Sequence, residues 1–563
     1  MTRDAKIDFG KSPALAAALL VLLTFLAYIP ALRAGFVWDD DKHFAKNPAM
    51  LSVGGLGQIW SSLAVSRYYP LTLTSFWMER RLWGLHPLPY HAVNIVLQAV
   101  NGVLLWILLR RLKVRGAWLA AVVWALHPVN VESVAWITEL KNTQSGMFFL
   151  LALLAFLQFE DRLRPRDYIA VLICGAAAMM SKPSTVVLPG VILLCAWWRR
   201  GRWTLKDLLR VTPLAALGVC MSLLTVLEQY GRIENQSATD WAITFVQRLL
   251  LMGHVVWFYA GKLFWPVNLC FIYPRWELQV HSIVEWLPLT ALVLVAAGLW
   301  CFRRTAWARA AVFGLGCFLI CLLPVLGIVS IYFFRFTFVA DHFQYLASMA
   351  LIALGIGTAA TIVERIGGRA HRCARFLTAT LLLVLGFSTW QRAHAYENSE
   401  TLWRDTLQKN PKAWIAHNNL GLALQEQGRL TEALEQYEQA LRLKPDSVEA
   451  QNNVGLALLQ QGRTPEATTH FQQAVKLQPN NVVVLQNLGF ALSQMDKTRE
   501  AIQCYQHLVQ LHPNLAEAHY GLALALEKIG ESEEAIKEYQ QALHLNPNLD
   551  EAQKNLQRLR AGQ

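Results

Sequence analysis

Three consecutive aspartates follow the first long apolar run of this sequence. The stretch GFVWDDDKHF places Asp39, Asp40 and Asp41 directly after Trp38. Adjacent like charges near a medium of low dielectric raise the pKa of at least one carboxyl group, which suits a general base. A solvated loop turn or the N-terminus of a helix would also accommodate them. A metal site is a further alternative, but no neighbouring carboxylate or histidine spacing calls for one.

Other polar side chains stand inside or beside apolar runs, where they are costly and therefore candidates for a function. They are His91 and Asn94 in YHAVN, His127 and Glu132 in LHPVNVES, Lys141, Lys182 in SKPS, and Arg335, Asp341 and His342 in YFFRFTFVADHFQY. Singly, such a lysine or histidine is usually an interfacial residue. Together, Lys141, Lys182 and Arg335 opposite a carboxylate cluster describe a site that grips a phosphate facing a base.

The elements that must position these residues are membrane helices. The chain of 563 residues is 54% hydrophobic and only 16% charged, whereas soluble domains carry roughly 25% charged residues. Up to residue 392, apolar runs alternate with short basic clusters. The net charge of +12 therefore reports membrane topology and does not indicate nucleic-acid binding. Residues 1–392 are predicted to form a polytopic helical membrane domain.

About eleven runs approach the length that crosses a ~30 Å hydrocarbon core. They are residues 14–32, 92–109, 117–130, 146–159, 167–182, 186–198, 207–227, 283–302, 308–331, 346–363 and 376–390. The first run is predicted to be an uncleaved span, because its apolar part is long for a signal peptide and Arg33 spoils the cleavage site. Residues 249–264 are interpreted as an interfacial or re-entrant helix.

The basic clusters place their loops, and the N-terminus, in the cytoplasm. The loop 35–90, the polar residues above and the C-terminal part are then extracytoplasmic. Three middle runs are short and interrupted near His127-Pro128 or Ser181-Lys182-Pro183. Short, broken helices are tolerated where they line a polar cavity.

The C-terminal part repeats itself every 34 residues. Recurring positions are Gly421/Gly455/Gly489, Ala433/Ala467/Ala501/Ala535, Tyr437/Phe471/Tyr505/Tyr539 and Pro445/Pro479/Pro513/Pro547. Small residues let two antiparallel helices approach, an aromatic ring fills the seam and proline ends the second helix, which is the tetratricopeptide (TPR) pattern. The predicted organisation is a half-repeat or junction over 393–412, four repeats over 413–548 and a capping helix over 549–563.

One repeated position carries asparagine: Asn419, Asn453 and Asn487. These residues serve either packing and turn formation, or they form a ladder that hydrogen-bonds the backbone of an extended peptide along the concave face. Both alternatives stay open at the level of sequence.

The motifs FVWDDDKHFAKNP, ALHPVNVESVAWITELKN, SKPSTVVLP and VADHFQYLAS, with the TPR tail, resemble the transmembrane and TPR-repeat-containing protein O-mannosyltransferases of the GT-C glycosyltransferase superfamily. The resemblance is to bacterial relatives, so it implies the bacterial inner membrane. It also implies that a sugar, mannose by analogy, moves with inversion from a polyprenyl-phosphate carrier to Ser/Thr hydroxyls. Asp39 or Asp40 would be the base, and the repeats would bind the protein acceptor. The lipid-linked sugar is then a co-substrate, and neither a metal nor another cofactor is expected.

Two other functions compete with this hypothesis. A non-catalytic TPR scaffold for envelope assembly would tolerate substitution of the aspartates. A transporter or lipid flippase would move a carrier without forming a product. The clustering of polar groups on one face argues against transport, which needs access from both sides.

Overall fold

Every regular element in the described residues is a helix. The computed structural model describes residues 12–40, 47–62, 69–234 and 243–561, and these ranges contain no strand. The chain divides into two compact units, Met1–Asn410 and Pro411–Gln563, which we call unit 1 and unit 2. The predicted all-α fold class, helical membrane domain and TPR solenoid are confirmed.

The long helices of unit 1 follow the apolar runs, and two helix breaks occur at His127-Pro128 and Lys182-Pro183. The α-helices among its described residues are α1 (Pro13–Tyr28), α2 (Pro48–Leu51), α3 (Gly55–Ser61), α4 (Pro70–Trp83), α5 (Pro87–Arg111), α6 (Ala117–Ala125), α7 (Val131–Ala135), α8 (Leu140–Arg162), α9 (Pro165–Ser181), α10 (Leu188–Arg200), α11 (Leu205–Glu234), α12 (Phe245–Phe264), α13 (Ile283–Cys301), α14 (Ala306–Leu322), α15 (Tyr345–Ile366), α16 (Arg369–His394) and α17 (Ser399–Lys409). Short 3-10 segments at Pro128–Asn130, Ile137–Glu139, Pro183–Val187, Tyr332–Arg335 and Asp341–Gln344 join several of them.

Eight helical segments in the described part of the chain are long and apolar enough to cross a membrane. They are Pro13–Arg33, Pro87–Arg111, Ile137–Arg162, Leu205–Glu228, Ile283–Cys301, Ala306–Val325, Asp341–Ile366 and Ala370–His394. The other three predicted spans correspond to α6, α9 and α10, which have 9, 17 and 13 residues. At 1.5 Å per residue these helices are only about 14, 26 and 20 Å long. The count of eleven is therefore not reached by length and composition.

Two of the short helices, α9 and α10, nevertheless run between the same two ends of unit 1 as α8. At one end, Arg199 of α10 pairs with Asp161 of α8 at 2.6 Å. At the other end, Lys182, which follows α9, donates to Asn142 near the start of α8. We call the end with Arg199 the basic end and the end with Lys182 the site end. α8, α9 and α10 each connect the two.

Helix α12 is arranged differently. Near its start, Arg248 donates to the carbonyl oxygen of Gly327 at 2.6 Å, in the segment that follows α14. Near its end, the carbonyl oxygen of Leu263 accepts from His127 Nε2 at 3.0 Å. Because α14 starts at the basic end, where Arg309 donates to the Trp197 carbonyl at 3.1 Å, Gly327 lies at the site end. Both ends of α12 thus contact segments of the site end.

Unit 2 consists of helix pairs at the 34-residue period. Its α-helices are α18 (Trp414–Glu426), α19 (Leu430–Leu443), α20 (Val448–Gln460), α21 (Thr464–Leu477), α22 (Val482–Gln494), α23 (Thr498–Leu511), α24 (Ala516–Lys528), α25 (Ser532–Leu545) and α26 (Asp550–Ala561). A Cβ atom on Gly455 would lie 2.6 Å from the Phe471 ring, and one on Gly421 would lie 2.6 Å from the Tyr437 ring. Glycine therefore permits the close approach of the two helices within a repeat.

Candidate active site

Asp40 is the anchor of the acidic loop. Its carboxylate accepts from the backbone nitrogens of Val37 and Thr138, each at 2.9 Å, and from the Thr138 hydroxyl. The side chain is fully buried. Burial raises the pKa of Asp40 to about 7, although the hydrogen bonds from Thr138 and Val37 act in the opposite direction. Asp40 thus ties the loop to the start of the third long apolar segment.

Asp39 has a different environment. It is half-buried and lies within electrostatic reach of Lys141. The preceding Trp38 has φ of 50°, in the left-handed region that costs an L-residue about 1–2 kcal/mol. The Trp38 ring is stacked on Trp136 at 5.5 Å between centroids and meets Trp403 of α17 edge-on at 5.6 Å. These aromatic contacts hold the unusual turn that presents Asp39. Asp41 lies outside the described residues.

Glu139 gathers two lysines at the site end. Its carboxylate is 2.7 Å from Lys141 Nζ and 3.8 Å from Lys182 Nζ. Asn142 Nδ2 donates to it at 2.5 Å, and Asn142 Oδ1 accepts from Lys182. The Lys141 and Lys182 side chains remain 19% and 14% exposed. The two cations are therefore held in place, and part of each lysine side chain stays accessible.

His342 and Glu132 form a second pair beside this cluster. His342 Nδ1 donates to Glu132 Oε1 at 2.7 Å, and the backbone nitrogen of His342 donates to the same carboxylate at 3.3 Å. His342 Nε2 lies 3.9 Å from Glu139, and the ring meets Trp136 edge-on. The structure thus brings four predicted residues, Glu132, Lys141, Lys182 and His342, around the unpredicted Glu139.

Asp341 and Arg335 belong to the two 3-10 segments around the ring of His342. Tyr273 donates to Asp341 at 2.9 Å. Arg335 ends the 3-10 segment Tyr332–Arg335, and its neighbour Phe333 contacts both the Trp38 and His342 rings, at 6.0 and 5.5 Å. Arg335 therefore lies on a segment that borders the site.

The remaining predicted residues of unit 1 contact backbone. His127 Nδ1 accepts from the Val129 nitrogen at 3.4 Å while Nε2 donates to Leu263, so both ring nitrogens are used. Asn94 accepts from the Thr143 hydroxyl at 3.0 Å and donates to the Ile137 carbonyl at 3.3 Å. His91 is fully buried, next to the backbone of the segment before Asp39. These three residues brace the site and do not line it.

In unit 2, the asparagines link successive repeats. Asn453 Nδ2 donates to Asn418 Oδ1 at 3.0 Å, and Asn487 Nδ2 donates to Asn452 Oδ1 at 2.8 Å. Asn419 Nδ2 has no hydrogen-bond partner among the described residues, since no complete repeat precedes its own. The amide nitrogens of Asn453 and Asn487 thus serve packing, which leaves their carbonyl oxygens to accept from a ligand.

An apolar stripe accompanies the asparagines. Leu422, Phe490 and Leu524 are 42%, 52% and 39% exposed, and Leu456 is half-buried. Each follows the asparagine position of its repeat by three residues, which places it on the same helical face.

Three residues of the candidate site were not predicted from the sequence: Thr138, Glu139 and Asn142. Their signal was the polar run TELKN, which contains Lys141 and lies within an otherwise apolar stretch. No group of three or more His, Cys, Asp or Glu side chains in residues 12–40, 47–62, 69–234 and 243–561 could hold a metal ion.

The family model described as dolichyl-phosphate-mannose-protein mannosyltransferase matches residues 76–227. Tetratricopeptide repeat models match residues 391–445, 419–482, 470–503, 494–530 and 516–549. The first match covers α5 to α10 and therefore Glu132, Glu139, Lys141 and Lys182.

Several curated proteins match both parts. A protein O-mannosyl-transferase of Caenorhabditis elegans is 25% identical over 452 residues, which are 76% of this chain and 62% of that protein. Human protein O-mannosyl-transferase TMTC1 is 26% identical over 506 residues, covering 77% of this chain and 56% of that protein. The chain thus spans less than two thirds of the length of these relatives.

Solved TPR structures match a smaller part. YrrB, a TPR protein with an unusual peptide-binding site, is 22% identical with a TM-score of 0.27, covering 29% of this chain and 84% of that chain. MamA from Desulfovibrio magneticus RS-1 is 24% identical with a TM-score of 0.26, covering 26% and 84%.

A membrane-embedded helical unit with a buried acid–base cluster at one end, followed by TPR repeats, defines the class of this protein. The chain is a relative of the transmembrane and TPR-repeat-containing protein O-mannosyltransferases. The resemblance seen in the sequence is confirmed.

Proposed function

We propose that this protein is a glycosyltransferase that moves a sugar, mannose by analogy with its relatives, from a polyprenyl-phosphate carrier to Ser/Thr hydroxyls of protein acceptors. The observation that carries the proposal is the placement of Asp39 within electrostatic reach of the Glu139–Lys141–Lys182 cluster. A base and a pair of phosphate-binding cations are what transfer from a lipid phosphate needs.

In the proposed reaction, Asp39 takes the proton of the acceptor hydroxyl while its oxygen attacks the anomeric carbon. The new glycosidic bond forms as the bond from that carbon to the phosphate oxygen breaks, and the electron pair leaves with the lipid phosphate. Lys141 and Lys182 stabilise the growing negative charge. Asp40, held by Thr138 and Val37, positions Asp39 and does not touch substrate.

We further propose that the repeats bind the acceptor as an extended segment. The free carbonyl oxygens of Asn453 and Asn487 would accept from its backbone N–H groups, and the stripe with Leu422 and Phe490 would contact its apolar side chains. Asn419 occupies the same position in the first repeat, but its amide nitrogen is buried.

The proposed orientation follows from the two ends of unit 1. The basic end carries Arg199 and Arg309, so the positive-inside rule assigns it to the cytoplasm. With α6, α9 and α10 crossing and α12 lying at the site end, the chain crosses eleven times. The site and unit 2 are then extracytoplasmic, in the periplasm if the membrane is a bacterial inner membrane.

The test is transfer by purified protein in detergent or nanodiscs. A panel of polyprenyl-phosphate sugars is incubated with protein extract, and glycopeptides are identified by mass spectrometry. We expect Ser/Thr-linked hexose, and we expect Asp39→Asn to reduce the initial rate by about three orders of magnitude or more, as loss of a catalytic base does.

The matched control is Glu79→Gln in α4. Glu79 is also a buried carboxyl, and burial raises its pKa to about 8, so it is already mostly neutral at pH 7. This variant is expected to keep the wild-type rate. If no donor in the panel yields product, the result supports the scaffold hypothesis. Carrier movement without product supports transport.

A further inference from the structure

Glu139 is in direct contact with Lys141 and Lys182, the two candidate phosphate ligands, and the proposed reaction gives it no role of its own. It lies at the end of the 3-10 segment Ile137–Glu139, fully buried. Lys141 approaches one oxygen at 2.7 Å, and Lys182 approaches the other at 3.8 Å. A single carboxylate thus faces two ammonium groups that come from the ends of different helices.

Other charged groups surround this contact. Glu132 is engaged by His342, whose Nε2 is 3.9 Å from Glu139. Asp39 and Tyr69 reach Lys141 electrostatically, and Glu132 reaches Lys182 in the same way. The salt bridges to Glu139 join both lysines to one carboxylate.

We propose that Glu139 is a positioning residue that holds Lys141 and Lys182 when the site is empty and competes with the lipid phosphate for them afterwards. This inference rests on the proposed glycosyl transfer. It assigns to Glu139 the release of the lipid-phosphate product as well as the alignment of the lysines.

The physical reason is the change in phosphate charge during the reaction. The donor is a phosphodiester with one negative charge, whereas the leaving lipid phosphate is a monoester that carries about −1.5 to −2 at neutral pH. Two lysines without a counter-ion would bind the product more tightly than the donor. Glu139 repels the lipid phosphate and attracts the same two lysines. Both effects weaken the complex with the product and let it leave.

Glu139→Gln keeps the size and the hydrogen bond from Asn142 but removes the charge. We expect the donor KM and the inhibition constant of added polyprenyl phosphate each to fall about tenfold, because the phosphate then has no carboxylate competing with it for the two lysines. The steady-state kcat falls by a similar factor, while the first turnover, measured by rapid quench, stays at the wild-type rate. A burst should therefore appear.

If Glu139 has only a structural role, Glu139→Gln should raise the donor KM or slow the first turnover. Either of these results, or weaker inhibition by polyprenyl phosphate, would overturn the proposal. The double variant Glu139→Gln/Lys182→Gln restores the balance of charge and is expected to relieve product inhibition. Glu79→Gln again serves as the control, since it removes a buried carboxyl outside the Glu139–Lys141–Lys182 cluster.

A second variant covers the case in which Glu139→Gln does not fold. Lys182→Gln leaves the contact between Glu139 and Lys141 intact. It is expected to raise the donor KM and the inhibition constant of polyprenyl phosphate about tenfold; unchanged values overturn the proposal. If the wild-type protein makes no glycopeptide at all, the proposed function itself fails, which is distinct from these results.

Discussion

Asp39 and Asp40 are neighbours in the chain, but the fold uses their carboxyl groups differently. Three donors from Val37 and Thr138 occupy the carboxylate of Asp40, which no solvent reaches. A group surrounded in this way cannot approach an acceptor hydroxyl, whereas the half-buried Asp39 can. At the scale of the residue, the pair divides into a positioning acid and a candidate base.

This division predicts the pH dependence of transfer. Burial raises the pKa of Asp40 to about 7, so Asp40 becomes neutral as the pH falls through that value. A negative Asp40 beside Asp39 strengthens Asp39 as a base, and therefore kcat should fall as the pH drops below about 7. Asp40→Asn mimics the neutral form and should give a slow rate without this acidic limb, measured as kcat from pH 5 to 9. Persistence of the limb in Asp40→Asn would show that another group causes it.

Thr138→Val also tests the role of Asp40, because Thr138 donates a hydrogen bond to its carboxylate. The Thr138 hydroxyl lowers the pKa of Asp40 by donating to its ionised form. Its removal should move the acidic limb up by about one pH unit, the equivalent of one hydrogen bond. Thr72→Val, which removes a buried hydroxyl that donates to the Ser181 carbonyl at 2.9 Å, should leave the limb in place. A downward movement in Thr138→Val contradicts the assignment.

At the scale of the element, the close helix pairs of unit 2 depend on glycine. A Cβ on Gly455 would press on the buried Phe471 ring at 2.6 Å, whereas one on Gly462 would meet nothing within 4 Å but would sit at φ of 76°. Gly455→Ala should destabilise the repeat by about 1–3 kcal/mol through overpacking. Gly462→Ala should cost about 1–2 kcal/mol through backbone strain. Hydrogen exchange of peptides from α20 and α21 in the full chain measures both.

The two variants also differ in where the loss appears. Gly455→Ala should speed exchange in both α20 and α21, because the clash lies between them. Gly462→Ala should act first at the turn that joins the two helices. Unchanged protection in Gly455→Ala would mean that the Phe471 ring has room to move.

The exposed stripe of the same helices makes a separate prediction about the acceptor. Phe490→Ser removes the aromatic ring of the stripe, which is also its most exposed side chain, and leaves the buried core unchanged. We expect the KM for a peptide acceptor to rise about tenfold or more, as for loss of an aromatic anchor, with the donor KM unchanged. Val483→Ser, at another exposed apolar position of α22, is the matched control. An equal rise in both variants would argue against a defined stripe.

At the scale of the whole molecule, the number of crossings decides which compartment holds the site. The eight segments found by length and composition would return the C-terminus to the side of the N-terminus. The proposed crossings by α6, α9 and α10 raise the number to eleven, which separates the termini. A C-terminal alkaline phosphatase fusion in a bacterial host should be active, and an N-terminal tag should be protease-protected in intact spheroplasts. If a reporter that works only in the cytoplasm is active at the C-terminus, unit 2 lies in the cytoplasm and cannot bind a periplasmic acceptor.

The helical class, the membrane unit and the repeats could be predicted from the sequence, because each depends on short-range patterns. Apolar runs specify spans, and a 34-residue period with Gly455 and Phe471 at fixed offsets specifies a packed helix pair. Prolines at residues 128 and 183 also marked the broken helices near the site. Such features need no knowledge of how distant segments meet.

Which polar residues form the site could not be predicted from the sequence, because it depends on how distant helices pack. Asp40 meets Thr138 across 98 residues, and Lys182 reaches Glu139 from the end of another helix. Asn94 and His127, equally conspicuous in the sequence, contact backbone instead. Side-chain chemistry identifies candidates, but helix packing fixes their distances and burial. These two quantities distinguish the positioning residue Asp40 from the candidate base Asp39.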